Sequence, residues 1–97
     1  MQYSYEITPR LAELGGGWKL RLLEDGQEAG GGAFPVAAIE AIEGMTWWNA
    51  MSEKDRAYWL LKAASARPAD AYHAFLLTQA YDEAEAEGLE WMANREG

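Results

Sequence analysis

Two alternating runs of apolar and polar residues meet at Asp25-Gly26, and this dipeptide constrains the fold more than any other feature of the chain. Asp-Gly supplies the two positive-φ positions of a type I′ turn, whose twist matches that of the strands it joins. On one side, Trp18, Leu20 and Leu22 alternate with Lys19 and Arg21. A two-residue loop then places Leu22 opposite Ala29, Leu20 opposite Gly31 and Trp18 opposite Ala33, so large residues on one strand meet small ones on the next. A helix or the rings themselves would fill that space. On the other face Lys19 and Arg21 lie over Gly32 and Gly30, and with Arg10 they form a small basic surface. Upstream, Tyr3, Tyr5 and Ile7 alternate with Ser4, Glu6 and Thr8, the pattern of a half-buried strand that Pro9 ends.

The cluster Gly30-Gly31-Gly32 lacks the Lys-Ser/Thr and the spacing that a phosphate-cradling loop requires. It reads instead as a strand whose missing side chains admit a neighbour or a bulge.

From Pro35 the period becomes helical. Pro35 suits a first helical position, Val36, Ile39 and Ile42 share a stripe, and Gly44 suits a C-terminal stop. Thr46 is expected to cap a further turn or two through Met51. Ser52 then stands as the cap of a capping-box variant with Asp55 in the third position, opening a helix to about Ser65. Arg67-Pro68 starts the last helix, since proline disfavours helical geometry before it and fits the first turn. That helix is expected to run to about Ala93, roughly 26 residues or 39 Å, against a radius of gyration near 13 Å for a domain of this size. It must bend near Gly88 or be covered. One face carries Ala74, Leu77, Ala80, Tyr81, Ala84, Gly88, Trp91 and Met92; the other carries Asp82, Glu83, Glu87 and Glu90, with Glu85 at the margin.

The expected fold is α+β: a single domain, 1–97, with a three-stranded antiparallel β-meander over 1–35 and three or four α-helices over 36–97. The chain's 97 residues, 49% hydrophobic with five tryptophans and five tyrosines, suffice for a packed core. No cysteine is present, which removes disulfides and thiolate metal sites and fits a reducing cytosol. The opening MQYSYEITPR has no basic stretch followed by an apolar run, and no segment approaches the roughly 18 apolar residues of a membrane span. A cytoplasmic protein without membrane association is the expectation.

Eight basic against sixteen acidic residues give a net charge of −8. The surplus is concentrated over 68–97, where one basic residue faces seven acidic ones, whereas 46–67 holds four basic and two acidic. Such a field repels phosphates, so direct nucleic-acid binding is disfavoured and a protein partner with a basic surface is favoured.

Within MTWWNAMSEKD, Trp47 and Trp48 are adjacent; on a helix they point about 100° apart and cannot both reach into one core. One is expected to support the fold and the other to form a contact, tryptophan being a favoured interface hot spot. Asp82, Glu83, Glu85, Glu87 and Glu90 set five carboxylates along about 12 Å of helix, a charge density approaching that of duplex DNA. Both groups are candidate partner-binding residues; Arg10, Lys19 and Arg21 are the alternative. His73 is the only histidine. Asp70, one turn before it, could orient its ring, but no nucleophile or metal-ligand spacing accompanies the pair, and the acidic string lacks the glycine and alternating ligands of a calcium loop. No catalytic, metal or cofactor site is expected.

The segments YEITPRLAELGGGWKLRLLEDGQEAGGGAFP and WWNAMSEKDRAYWLLKAASARPADAYHAF resemble small uncharacterised proteins of bacteriophages and prophages. The resemblance implies an accessory protein that binds and blocks a host component, a class that includes anti-CRISPR and other anti-defence proteins. The expected function is therefore a non-enzymatic protein-binding inhibitor or accessory factor acting on a host nucleic-acid-handling or defence complex, with acidic DNA mimicry as one route. A nucleic-acid-associated regulator using the basic sheet face, a structural homo-oligomer such as a homodimer, and an enzyme using His73 are the alternatives.

Overall fold

The computed structural model describes residues 1–36 and 41–96. Three strands, β1 (Tyr3–Pro9), β2 (Trp18–Glu24) and β3 (Gln27–Phe34), are followed by three helices, α1 (Ala41–Ala50), α2 (Glu53–Ala63) and α3 (Pro68–Glu96). The class is α+β, with an antiparallel sheet in the order β1-β2-β3. The residues group into two compact units: the sheet with α3 from Gln79 onward, and the helical segment that closes at Thr78.

In the sheet unit the Asp25-Gly26 turn forms as the sequence requires, with φ of 51° and 82°. The register beyond it differs by one residue from the expectation. β3 bulges opposite the Leu22/Leu23 step, leaving Ala29 without a partner, so Leu22 faces Gly30, Leu20 faces Gly32 and Trp18 faces Phe34. Lys19 and Arg21 accordingly lie opposite Ala33 and Gly31. A bulge inserts one residue on one strand, which a register counted outward from the turn does not anticipate. Gly31 has φ 151°, and a Cβ there would stand 2.1 Å from the Leu20 carbonyl oxygen, so this position admits only glycine.

Leu20 and Leu22 on β2 pack with Ala84 of α3, and Tyr5, Ile7, Phe34 and Trp91 surround them. Leu20 is 1% exposed and Ala84 0%, and burying one such leucine is worth about 1.5–3 kcal/mol. The helix presents small residues to the sheet at a four-residue spacing, Ala80, Ala84 and Gly88, all buried. The helix runs unbroken through Gly88: a Cβ there would lie 2.7 Å from Cγ of Tyr5, so the missing side chain is what lets the ring rest on the helix. Edge-to-face contacts flank this line, Tyr3 with Trp91 at 5.5 Å and Trp18 with Tyr81 at 5.1 Å. Trp18 is half-buried, at the border of this core.

In the helical unit, α1 replaces the two short helices expected around Gly44. Pro35 and Val36 precede it and are not helical, and Ile39 lies outside the described residues. Gly44 lies within the helix, where a Cβ would come within 3.1 Å of the Tyr72 ring. Thr46 caps nothing; its hydroxyl donates back to the Ile42 carbonyl at 2.8 Å, as helical threonines commonly do. Ser52 caps α2 by accepting from the Asp55 amide at 3.2 Å. That helix ends at Ala63, earlier than expected, because Ala64 turns left-handed with φ 51°. The Ser65 amide then donates to the Leu60 carbonyl and the Ala64 amide to Leu61, a Schellman closure built without glycine. Pro68 occupies the first turn of α3, where the Asp70 and Ala71 amides donate to the Arg67 carbonyl. The helix runs three residues past the expected Ala93, to Glu96.

Candidate functional site

The two adjacent tryptophans separate into different environments within the helical unit. Trp47 is the hub of an aromatic cluster, with ring centroids 5.0 Å from Phe75, 5.2 Å from Tyr72 and 6.2 Å from Trp59. Trp59 in turn meets Phe75 edge-on at 5.4 Å and Tyr58 at 5.0 Å. Contacts of this kind add about 0.5–1.5 kcal/mol each beyond area burial. Trp48, a helical step away, lines a groove between α1 and the start of α3.

The groove encloses about 270 Å³ and is walled chiefly by Met45, Trp48, Pro68, Ala69 and Tyr72, with Asn49 the polar side chain on its border. Met45 is 65% exposed at its mouth, and Ile42, one turn earlier on α1, is 76% exposed. One side of the Trp48 ring is occupied by Arg56, whose guanidinium carbon stands 5.3 Å from the ring centroid. Arg56 also donates to the Trp48 carbonyl at 2.9 Å and to the Asn49 carbonyl at 3.4 Å. It thereby binds two carbonyls at the C-terminal end of α1, that of Trp48 shared with the Met51 amide, while holding the indole in place. The arrangement can accept an apolar side chain.

Sequence reasoning named Trp48 but missed Met45, Tyr72 and Arg56. Met45 and Trp48 stand three apart on one face of α1, a relation that becomes visible only once the helix is allowed to continue through Gly44.

The acidic candidates lie in the sheet unit. Asp82, Glu83, Glu87 and Glu90 are exposed on α3, and none of them forms an ion pair among the described residues. Glu85 is half-buried and turned toward the sheet side. There, burial first, then the Glu85 carboxylate and Tyr81, push the Tyr5 hydroxyl above its ordinary value. The ridge is thus four exposed carboxylates with Glu85 at its margin.

The three cations of the alternative basic surface have different surroundings. Arg21 pairs with Glu6 at 3.2 Å and approaches Glu28 at 3.9 Å. Arg10 turns back to bind the Gly16 and Leu14 carbonyls at 3.0 and 2.8 Å, pinning the loop between β1 and β2. Lys19 remains exposed on the sheet. His73 is exposed, and Asp70 is engaged by the Ser65 hydroxyl at 2.6 Å and by Arg67 at 3.9 Å rather than by the histidine. No group of three or more metal-binding side chains occurs among the described residues, and no helix among them is long and apolar enough to cross a membrane.

Comparison with protein-family models, with curated proteins and with solved structures finds no match to this chain.

Proposed function

We propose that the chain is a non-enzymatic protein-binding module whose groove between α1 and the start of α3 receives one bulky apolar side chain of a partner protein. The observation that carries this reading is the groove itself: an apolar recess of about 270 Å³, backed by Trp48 and Tyr72, with Met45 exposed at its mouth. Its volume suits a single aromatic or branched aliphatic anchor, and tryptophan and tyrosine are the side chains most enriched where such anchors seat. The thioether of Met45 adapts to the anchor's shape. The proposal extends to a host protein as partner and to inhibition, of the anti-defence type, as the outcome.

A second reading rests on the four exposed carboxylates of α3, which have no cationic partner among the described residues. Spaced along about 12 Å of helix, they suit the basic cleft of a nucleic-acid-handling complex, in the manner of a DNA mimic.

Affinity capture from host lysate separates the two. Under the groove reading, Trp48→Ala abolishes capture in a folded protein, while Trp47→Ala costs about 3 kcal/mol of stability through loss of the aromatic hub. Under the acidic reading, replacing Glu83, Glu87 and Glu90 with Gln weakens capture, and wild-type capture falls steeply with salt. Capture that survives Trp48→Ala at wild-type strength removes the groove from the function.

A further inference from the structure

The groove of the helical unit has an electrostatic character as well as a shape. Among the described residues, none that lines it is charged, but cations stand at its border. Arg56 lies against the Trp48 indole, and Arg67, exposed, immediately precedes Pro68 of the wall. The Asp70 carboxylate stands 3.9 Å from Arg67, an exposed pairing of little worth. On α1, Glu43 falls about 200° round the helix from Met45 and so away from the mouth. The stretch 46–67 sets four basic residues against two acidic ones. An occupant with carboxylates beside an apolar anchor complements this border.

The chain itself carries such an anchor. Leu89 is exposed on α3; Glu85 and Asp82 precede it by one and two turns on its side of the helix, and Glu90 follows it. Asp82 and Glu90 have no ion-pair partner among the described residues. Ala86 and Ala93, one turn to either side, are exposed and small, so the leucine stands out from the surface and the helix can come close to a groove. Other exposed leucines suit the groove less. Leu61 adjoins Lys62 on α2, like in sign to the border, and Leu11 and Leu14 flank one carboxylate, Glu13, with Arg10 beside them.

We propose that Leu89 of a second copy seats in the groove between α1 and the start of α3, with the carboxylates beside it facing the cations at the groove's border. The proposal rests on the reading of the groove as an anchor site and adds the anchor's identity. A second copy is the fitting occupant because one chain supplies both complementary parts: an apolar recess bordered by Arg56 and Arg67, and a leucine set between Asp82 and Glu90. Leucine is a branched aliphatic of the size that a recess of about 270 Å³ admits. Groove and anchor are different surfaces, so the contact is heterologous and each copy has one of each.

Sedimentation velocity at low salt over a wide concentration range tests the proposal. Wild type associates as concentration rises, and added salt weakens the association. Leu89→Ala and Met45→Glu, both at exposed positions, each weaken it about tenfold. An equimolar mixture of the two associates more tightly than either alone and stops at a one-to-one complex, because it holds one intact groove and one intact leucine. Circular dichroism checks that both variants fold; if either does not, the wild type decides, and its Met45 and Leu89 methyl resonances must shift together with concentration. A wild type that stays monomeric overturns the proposal, as does Leu89→Ala associating as wild type does. Association that survives Met45→Glu, that salt leaves unchanged or that mixing fails to restore overturns it as well. Failure of the groove reading itself is read separately, in host capture that survives Trp48→Ala, an experiment in which Leu89 is unaltered.

Discussion

Replacing Gly88 with alanine sets two opposing effects against each other, and the structure decides which prevails. Alanine is favoured over glycine inside a helix by about 1 kcal/mol, so the substitution would stabilise α3 if the position were open. It is not open: the new methyl would stand 2.7 Å from Cγ of Tyr5 and 3.0 and 3.1 Å from the two adjoining ring carbons. Cγ is the ring atom nearest the backbone of β1, so no rotation of the ring moves it away. Overpacking of this kind costs typically about 1–3 kcal/mol, and a contact this short on an anchored atom belongs in the upper half of that range. The net expectation is a loss of about 1–2 kcal/mol, or a fall in Tm of roughly 4–16 °C for a chain of this size. Thermal unfolding followed by circular dichroism measures it. The companion experiment uses Tyr5→Ala as background: with the ring gone, Gly88→Ala is expected to stabilise by about 1 kcal/mol, its helix-propensity value. A higher Tm for Gly88→Ala in the wild-type background would refute the reasoning and with it the close seating of α3 on β1.

Ala64→Gly is expected to stabilise the protein by about 0.5–1 kcal/mol, because alanine holds a left-handed conformation there with φ 51°; urea unfolding monitored by helical circular dichroism reads it. Trp18→Ala is expected to cost about 2–3 kcal/mol, below the range for a fully buried tryptophan, since the ring is half-buried against Tyr81; an unchanged urea midpoint would detach it from the sheet–helix core. The raised Tyr5 hydroxyl predicts alkaline sensitivity. The unfolded chain ionises first as pH rises, so this contribution is intact below about pH 10 and is lost as pH climbs through the folded value. Tyr5→Phe should flatten the fall in stability measured over that interval.

The strand pattern and the turn were legible because they depend on neighbours in sequence. The alternation of Tyr3, Tyr5 and Ile7, and of Trp18, Leu20 and Leu22, fixes one apolar face, and Asp25-Gly26 fixes the hairpin. The Ser52 cap and the Pro68 helix start were legible for the same reason. The bulge at Ala29 was not, since nothing local marks the extra residue, and the demand for glycine at Gly31 comes from a carbonyl on another strand. Gly44 and Gly88 invite misreading in the same way: each resembles a helix stop or bend, and each is explained by a tyrosine ring far away in sequence, Tyr72 and Tyr5. Of the candidate sites, the split between Trp47 and Trp48 follows from helical geometry alone, but which of them faces the cluster depends on Phe75, Tyr72 and Trp59, and so on tertiary packing. The acidic face of α3 was legible from the helical period, including the marginal place of Glu85, where the helix meets the sheet.

The Trp47 hub also has an optical consequence. Its indole lies 6.4 Å from that of Trp48 and 6.2 Å from that of Trp59, with the ring planes inclined at 45° and 62°. Transition dipoles this close and this oblique couple, splitting the strong indole absorption into an exciton couplet that overlaps the helical bands of the far ultraviolet. Helix content read directly from such a spectrum will be distorted. The couplet arises within the helical unit, where all three indoles lie. Its disappearance on heating would report the dispersal of three indoles, separately from the unwinding of the backbone around them.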